Sequence, residues 1–394
     1  MRPKMTPFDG AIHTRHLNLE RRSGTSPLRR FSLINSFSDI AFEAQLWAAP
    51  MAHCQGRCGA AGFRGDAKLT GQQGAAAPLH VVVAALTRGR IALFSDLLDS
   101  LAQMDLPEGV TVSFCFVENA AALQIGGMVD QFARRRGCSA VALLQPQLGI
   151  PFARNKALQY ALDQGASHLA FVDDDEQVTQ GWLVRLLERH VSTDADLTGG
   201  PEFPMPPDGS LTLWQRVCYR GLAARSRRMA WHNRRLERWG AARRRPTVIT
   251  NNWLVRLDFV RETDLRFDER LGFSGGSDVA FFRALRGKGG QTSWAADAIV
   301  HEVLPRDRLS LRYQFRRGRD QSIASYRVRY GGDLHGALFL RSVFFVSAKL
   351  LLGCVRLMLS VLDGGRSLVL AVRAFGFAYG CILAMFGRVS EHYR

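Results

Sequence analysis

Apolar and polar positions alternate regularly along residues 80 to 172. Apolar runs of strand length begin at His80, Val110, Ser139 and His168. After the first run, apolar residues recur on one face of a predicted helix, at Ile91, Phe94, Leu97, Leu98 and Leu101. Two further helices are predicted, one over about 121–136 and one starting at Gly149. Strands and helices in alternation predict an α/β domain with a mostly parallel sheet and flanking helices.

Polar side chains recur where these strands end. Thr87 follows the first strand, Glu118 and Asn119 follow the second, and Asp173 to Asp175 follow the strand that starts at His168. The carboxyl ends of parallel strands meet at one edge of a sheet, where open α/β sheets bind their ligands. The pattern therefore predicts a crevice suited to a nucleotide.

The acidic stretch from Asp173 to Glu176 is the densest chemical signal in the chain. Four adjacent carboxylates repel one another unless a cation lies among them, and a hard divalent metal is the natural counter-charge. Side chains alternate along a strand, so Asp173 and Asp175 are expected to point the same way. The alternative is a solvated acidic turn that caps the next helix.

Composition restricts the class of partner. The 394 residues contain 52 Lys and Arg against 35 Asp and Glu, a formal charge of +17. Such a surface suits a polyanion: nucleic acid, an anionic membrane surface or a phosphorylated substrate. The seven cysteines are scattered and predict reduced thiols. With no secretory signal, the bulk of the protein is expected inside the cell.

Shifts in composition predict three parts. Residues 1–78 are rich in Arg, Ser, Pro and Gly and predict a variable, partly disordered extension with one helix from Phe31 to Trp47. Residues 79–332 carry the α/β pattern. Residues 333–394 predict a helical hairpin that is mostly apolar.

The hairpin has the features of membrane-associated helices. In residues 335–362, Arg341, Lys349 and Arg356 fall on one helical face, which predicts an amphipathic helix with its cations toward lipid phosphates. Residues 367–386 carry one charge and are long enough to span or re-enter a bilayer. The alternative is a soluble hairpin packed on the α/β domain.

A dense arginine stretch lies between residues 220 and 245. Ten arginines there face a single acid, Glu237, and Trp231 and Trp239 are interleaved among them. Phospholipid heads or a lipid-linked pyrophosphate suit this stretch, and tryptophan is typical of membrane interfaces. Nucleic acid would suit the charge too, but no nucleic-acid module is recognisable, so no nucleic acid is expected as a partner.

Several short motifs, taken together and in order, resemble one family. They are the Thr87-Arg turn, Glu118-Asn119, Gly149-Ile-Pro-Phe-Ala-Arg-Asn, Phe171-Val-Asp-Asp-Asp-Glu, Thr250-Asn-Asn, Phe267-Asp-Glu-Arg and Gly275-Gly-Ser-Asp-Val-Ala-Phe. Over roughly residues 79 to 320 the chain resembles a family 2 glycosyltransferase of the GT-A fold, and most closely the bacterial members that build surface polysaccharides or glycolipids. The resemblance implies inverting transfer of a sugar from a nucleotide-diphospho-sugar donor.

The resemblance also implies donor-site residues. Asp175 matches the second acid of the family's Asp-x-Asp motif and is expected to bind Mg²⁺ or Mn²⁺, with Asp173 at the ribose or the metal. The other residues expected to bind substrate are Thr87, Glu118, Asn119, Arg154, Asn155 and Asn252. Glu118 stands where an Asp is more usual.

On the acceptor side, the resemblance implies a single catalytic base. Asp278 matches the base of the family's Gly-Gly-Glu-Asp segment, while Ser277 replaces the preceding Glu. The alternative for Ser277 and Asp278 is plain helix capping. His301 is expected to complete the metal shell, and Arg316 or Arg317 to neutralise the departing diphosphate.

The combined prediction is an inverting, metal-dependent glycosyltransferase at the cytoplasmic face of the inner or plasma membrane. It would transfer a sugar to a lipid-linked or glycan acceptor in cell-envelope polysaccharide or glycolipid synthesis. Two alternatives remain open: a nucleotide-sugar-binding protein that lost catalysis with the Glu replaced by Ser277, and a basic nucleic-acid-binding protein.

Overall fold

The structure is a computed structural model that describes residues 79–239, 248, 251–272, 276–330 and 336–387. The extension predicted for residues 1–78, with its helix from Phe31 to Trp47, lies outside the described residues.

The first half of the domain alternates strands and helices, as the apolar pattern predicts. Its elements are β1 His80–Thr87, α1 Ile91–Gln103, β2 Thr111–Glu118, α2 Gly126–Arg136, β3 Ser139–Leu144, α3 Ile150–Asp163 and β4 His168–Asp173. The predicted helix over about 121–136 begins later than expected, at Gly126.

The second half of the domain has shorter strands and longer helices. Its elements are β5 Glu176–Val178, α4 Trp182–Ser192, β6 Leu197–Gly199, β7 Glu202–Met205, α5 Leu213–Trp239, β8 Asn252–Arg256, α6 Leu257–Thr263, α7 Ser277–Gly287, β9 Thr292–Trp294 and β10 Val300–Val303. Three helices complete the described chain: α8 Leu311–Tyr330, α9 Gly336–Leu362 and α10 Leu368–Met385.

The main sheet has the strand order β3-β2-β1-β4-β8-β6-β9. The first four strands in this order are parallel, whereas β8 runs antiparallel to both β4 and β6. The predicted α/β class, with a mostly parallel, Rossmann-like sheet, is confirmed. The chain builds outward from β1 to β3 and then returns to place β4 on the other side of β1. This reversal makes the carboxyl ends of β1 and β4 a topological switch point, where such sheets bind ligands.

The two faces of the sheet are buried in separate cores. Val81 and Val83 of β1 pack with Phe94 of α1 on one face, while Val82 and Ala84 pack in the cluster on the other face. A strand buried on both faces reads as a continuous apolar run, and this explains the run that starts at His80. A smaller sheet of three strands, β5-β10-β7, continues from the end of β4.

The C-terminal hairpin of α9 and α10 contacts helix α8, which follows the α/β domain in the chain. A Cβ atom added at Gly376 of α10 would lie 2.1 Å from the Phe315 carbonyl oxygen, and one added at Gly380 would lie 2.2 Å from that of Arg319. Only glycine permits this approach, so the backbones of α8 and α10 are in close contact. Helix α9 ends at Leu362, just before the predicted break at Asp363-Gly-Gly.

The predicted orientation of α9 is wrong. Lys349 and Arg356 are 4% and 9% exposed and point inward, whereas Met358 is 73% exposed. The Lys349 ammonium lies 5.0 Å from the Phe377 ring centre, and Arg356 donates a hydrogen bond to the Leu370 carbonyl at 3.4 Å. Because α10 provides rings and a carbonyl for the cations, the apolar side chains of α9 are left outside. Arg341 lies among residues whose side chains are not described.

The outward face of α9 is therefore apolar. Its most exposed members are Phe344, Leu351, Met358, Val361 and Leu362. Within the described chain, Ser342–Leu362 and Leu368–Met385 are long and apolar enough to cross a membrane. An exposed apolar surface of this extent is unusual for a soluble monomer and typical of a surface that meets lipid or another protein.

Candidate active site

The acidic stretch lies at the switch point and is buried. Strand β4 ends at Asp173, and Glu176 begins β5, so Asp174 and Asp175 form the turn between the two sheets. Asp174, Asp175 and Glu176 are all buried. No side chain caps the following helix α4 through a hydrogen bond. The stretch is thus neither a solvated turn nor a cap. Because the strand stops at Asp173, strand alternation does not order the next two side chains.

Two arginines hold the turn. The Arg90 guanidinium lies 2.5 Å from an Asp174 oxygen and 2.7 Å from the Asp175 Oδ2. Arg308, from the segment before α8, contacts the same Asp175 oxygen at 3.4 Å and donates to Glu302 at 2.9 Å. The cation that reaches Asp175 from this side is therefore Arg308. Arg316 and Arg317 lie further along, in α8.

Burial and mutual repulsion raise the pKa of Asp173, Asp174 and Glu176. Burial raises the pKa of Asp173 to about 7 against the opposing charge of Arg154, and it raises that of Asp174 to about 6 against Arg90. Burial together with the charge of Asp173 raises the pKa of Glu176 well above its usual value. A cation bound at this site would lower these pKa values again, because it favours the charged carboxylates that bind it.

The small sheet adds a second set of carboxylates. Glu302 lies opposite Glu176 in the β10–β5 ladder. Burial, and next the charge and hydrogen bond of Glu202, raise the pKa of Glu302 to about 9, which favours its neutral form at pH 7. His301 instead contacts the Phe203 ring, with ring centres 6.5 Å apart. Neighbouring side chains on a strand point to opposite faces, so β10 directs Glu302 toward the acidic turn.

The end of β2 is tied to the adjoining loops. Glu118 is fully buried, and its Oε2 accepts hydrogen bonds from the backbone N–H groups of Gln124 and Ile125 at 2.5 and 3.1 Å. Its other oxygen, Oε1, is buried without a hydrogen-bond partner among the described residues. One oxygen of Glu118 thus shapes the loop before α2, and the other is available for a donor on the ligand.

The Asn119 amide is fully engaged. Its Nδ2 donates to the carbonyls of Gln145 and Gln147, and its Oδ1 accepts from the Gly149 N–H, all at 2.8 Å. Gly149 has φ of +136°, and a Cβ there would lie 3.0 Å from the Phe152 ring. The asparagine therefore holds the glycine turn that starts α3, the helix that carries Arg154.

Asn252, predicted to bind substrate, is engaged in the same way. It is buried in β8, where its Oδ1 accepts from the Trp182 indole at 2.8 Å and its Nδ2 donates to the carbonyls of Pro201 and Ala298 at 3.1 and 2.8 Å. These contacts join the two sheets behind the acidic turn. Thr87, also buried, is paired with Glu118 in the β1–β2 register.

Arg154 and Asn155 connect the two ends of the site. Arg154 is buried; it donates to the Ser277 hydroxyl at 3.1 Å, its guanidinium lies 5.5 Å from the Phe267 ring centre, and its charge acts on Asp173. Asn155 accepts from the Phe267 N–H at 2.9 Å and donates to the Phe267 carbonyl at 3.0 Å. Arg154 thus contacts the start of α7 directly and acts on Asp173 through its charge.

Helix α7 begins with the segment predicted to carry the base. Gly276 precedes it with φ of +85°, and no side chain of the described residues caps it through a hydrogen bond. Ser277 and Asp278 are its first two residues and do not cap it. Ser277 is buried against Arg154, while Asp278 is half-buried in the first turn. The positive end of the helix favours a carboxylate there.

The donor atoms suit a divalent cation that is held largely by its ligand. The described residues contain no group of three or more His, Cys, Asp or Glu side chains arranged to hold a metal. Mg²⁺ in nucleotide sites is commonly bound by one or two carboxylates plus water and substrate phosphates, and Asp175 and Asp173 supply hard oxygens of this kind. The residues fit such a metal, and Arg90 occupies Oδ2 of Asp175 in this structure.

Sequence reasoning did not identify Arg90, Arg308, Glu202 or Glu302 as parts of the site. Arg90 lies in the turn that starts at Thr87. Arg88 lies in the same turn, and the sequence does not show which of the two arginines reaches the acids. Arg308 lies in an arginine-rich stretch, and nothing in the local sequence distinguishes it from its neighbours. The roles of these four residues depend on which strands are neighbours in the two sheets.

Comparisons with known proteins add one relative of similar length. No family model matches the chain. It is 31% identical over 260 residues to the succinoglycan biosynthesis protein ExoM of Rhizobium meliloti (strain 1021), covering 66% of this chain and 75% of ExoM. It is 16% identical to the structure of S. aureus TarS, with a TM-score of 0.43, over 66% of this chain and 41% of TarS. The structure of TarS 1–349 in complex with UDP gives 14% identity and a TM-score of 0.42, over 79% of this chain and 92% of that chain.

Proposed function

The chain belongs to the family of the succinoglycan biosynthesis protein ExoM, and from this premise we propose that it is a glycosyltransferase of cell-envelope polysaccharide synthesis. It takes a sugar from a nucleotide-diphospho-sugar and transfers it, with inversion, to a hydroxyl of a lipid-linked or glycan acceptor. One observation carries the proposal: buried carboxylates lie at the switch point of the sheet, and Arg154, whose charge acts on Asp173, donates to Ser277 at the helix start that bears Asp278.

The donor occupies the switch-point crevice. Thr87 and the buried, unpartnered Oε1 of Glu118 lie at the ends of β1 and β2, where a nucleoside can donate hydrogen bonds. Asp175 and Asp173 would hold Mg²⁺ or Mn²⁺, which supplies Lewis-acid neutralisation of the leaving diphosphate. Asn119, Asn155 and Asn252 support this crevice through backbone contacts.

Asp278 is the proposed base. Inversion is a single displacement at the anomeric carbon, so one group must take the proton of the attacking hydroxyl. Asp278 is half-buried in the first turn of α7, within reach of solvent and next to Ser277. Arg154 positions this helix start through the Ser277 hydroxyl, so the replacement of the family's Glu by Ser277 still leaves the segment held.

The acceptor is presented at a membrane surface. The outward apolar face of α9 suits the acyl region of a bilayer, and the arginines of α5 suit its phosphates. Trp231, at 52% exposure, lies among these arginines and suits the interface. A lipid-linked acceptor at the cytoplasmic face would bring its sugar to a crevice tethered by the hairpin.

The test is transfer from UDP-, GDP- and dTDP-sugars to membrane lipid acceptors by the full chain with Mn²⁺. Asp278→Asn is expected to lower transfer about 10²–10⁴-fold while donor binding persists. Asp258→Asn is the matched control, because Asp258 also lies in the first turn of a helix, α6. Equal transfer by the Asp278 variant and the wild type would disprove the assigned base. Donor binding without transfer of any sugar would favour the binding-protein alternative.

A further inference from the structure

One oxygen of Asp175 lies between two guanidinium groups. Its Oδ2 is 2.7 Å from Nη1 of Arg90 and 3.4 Å from Nη1 of Arg308. Arg90 also contacts the fully buried Asp174 through its Nη2 at 2.5 Å. The carboxylate expected to bind the metal is therefore already neutralised by side chains of the protein.

The two arginines are anchored differently. Arg308 also donates to a second acidic side chain, Glu302, at 2.9 Å, on a strand of the small sheet. Arg90 lies in the turn between β1 and α1, and its side chain is 41% exposed although both acids it contacts are buried. A half-exposed guanidinium on a turn can change partners more readily than one fixed between two elements.

A metal that binds Oδ2 of Asp175 competes with Arg90 for that oxygen. Mg²⁺ binds carboxylate oxygens at about 2.0–2.1 Å, and Nη1 of Arg90 lies 2.7 Å from the same atom. Two cations about 4 Å apart repel even in water. A metal on this oxygen therefore favours the departure of Arg90, and another anion stabilises a guanidinium that leaves two carboxylates.

The donor diphosphate is the anion expected to bind closest to Arg90. Arg90 follows β1 at the switch point, beside the strand end where Thr87 and the Asp173 turn meet. Guanidinium matches phosphate oxygens in bidentate geometry as well as it matches carboxylates. We propose that Arg90 occupies the cation position on Asp174 and Asp175 in the donor-free protein and moves to the donor diphosphate when the metal binds. This role rests on the proposed function.

The exchange couples the two ligands. Metal binding releases Arg90 to the diphosphate, and diphosphate binding draws Arg90 away from the metal site, so each ligand strengthens the other by the same factor. Removal of Arg90 should act in opposite directions on the two: the metal alone binds more tightly, and the diphosphate binds more weakly. A purely structural arginine would weaken both or neither.

Calorimetry of the full chain in detergent tests this with Mn²⁺ alone and with UDP and GDP at saturating Mn²⁺. Arg90→Gln is expected to bind Mn²⁺ about fivefold more tightly, from the loss of one competing charge. It should bind the preferred nucleoside diphosphate about 10–100-fold more weakly, from the loss of a charge-assisted hydrogen bond. Arg135→Gln is the matched control, since Arg135 is 50% exposed and ion-paired to Asp99 at 2.8 Å.

Unchanged or weaker Mn²⁺ binding by Arg90→Gln, or unchanged diphosphate binding, would overturn the exchange. If that variant does not fold, Arg90→Lys serves instead. Lysine keeps the charge but cannot make two parallel hydrogen bonds, so the affinity for the diphosphate should fall at least threefold while the affinity for Mn²⁺ does not fall. A wild type that binds neither UDP nor GDP would refute the proposed function itself. A wild type that binds one of them as tightly as Arg90→Gln does would refute only the role of Arg90.

Discussion

Replacement of Asn119 by alanine is expected to destabilise the fold first and to weaken donor binding only as a consequence. The residue resembles a ligand-binding asparagine by its place at a strand end. In the structure all of its hydrogen-bonding groups contact the backbone, through Gln145, Gln147 and Gly149. The variant therefore distinguishes a residue that shapes the crevice from one that contacts the ligand.

The magnitude follows from those three bonds. A buried hydrogen bond contributes about 0.5–1.5 kcal/mol net, so the loss of three lowers the free energy of unfolding by about 2–4 kcal/mol. For a domain of this size, a fall in melting temperature on the order of 5 °C is expected. The glycine turn before α3 loses its anchor, and the position of Arg154 on that helix becomes less defined.

The assay is thermal unfolding of the full chain, followed by titration with the nucleoside diphosphate that the wild type prefers. Gln124→Ala is the control, because Gln124 is exposed nearby and its contact to Glu118 is made through the backbone. If Asn119→Ala melted within 1 °C of the wild type but lost diphosphate affinity more than tenfold, the structural assignment would be refuted. The amide would then be a ligand contact.

Three further predictions follow from the same contacts. Burial, and next the charge of Glu202, raise the pKa of Glu302 to about 9, so the fold favours neutral Glu302 and loses stability as the pH rises from about 4.5 toward 9. In melting curves Glu302→Gln should flatten this decline, and an unchanged pH profile would contradict the raised pKa. Arg154→Lys is expected to lower transfer at least tenfold with little change in donor affinity, because the lysine ammonium cannot reproduce the guanidinium contact to Ser277. A loss of donor affinity as large as the loss of transfer would place Arg154 at the nucleotide instead. Met358→Asp should reduce sedimentation with anionic vesicles, whereas Val191→Asp, at an exposed apolar position of α4, should not, and equal sedimentation of both would remove α9 from the interface.

The local pattern of the chain was sufficient to predict most of the fold. Strands β1 to β4 and helices α1 and α3 follow directly from apolar runs and helical spacing, because these patterns record which faces are buried. The break after Leu362 follows from Asp363-Gly-Gly. The functions of the predicted site residues stay predictions.

The partners of the long side chains could not be read from the sequence. Lys349 and Arg356 share a helical face, and spacing alone cannot say whether that face meets solvent or α10. Asn119 and Asn252 resemble ligand residues until the carbonyls beside them are known. A hydrogen bond needs a partner at a particular place, and chain spacing constrains only near neighbours.

The sequence by itself determined that carboxylates would end a buried strand, since an apolar run followed by acids has few other solutions in a parallel sheet. The tertiary structure alone decided what balances their charge. The return of the chain to place β4 next to β1 brings Arg90 onto Asp174 and Asp175, and the small sheet brings Glu302 and Arg308 to the same turn. These contacts join residues that are far apart in the chain, and the order of the strands in the two sheets determines which residues meet.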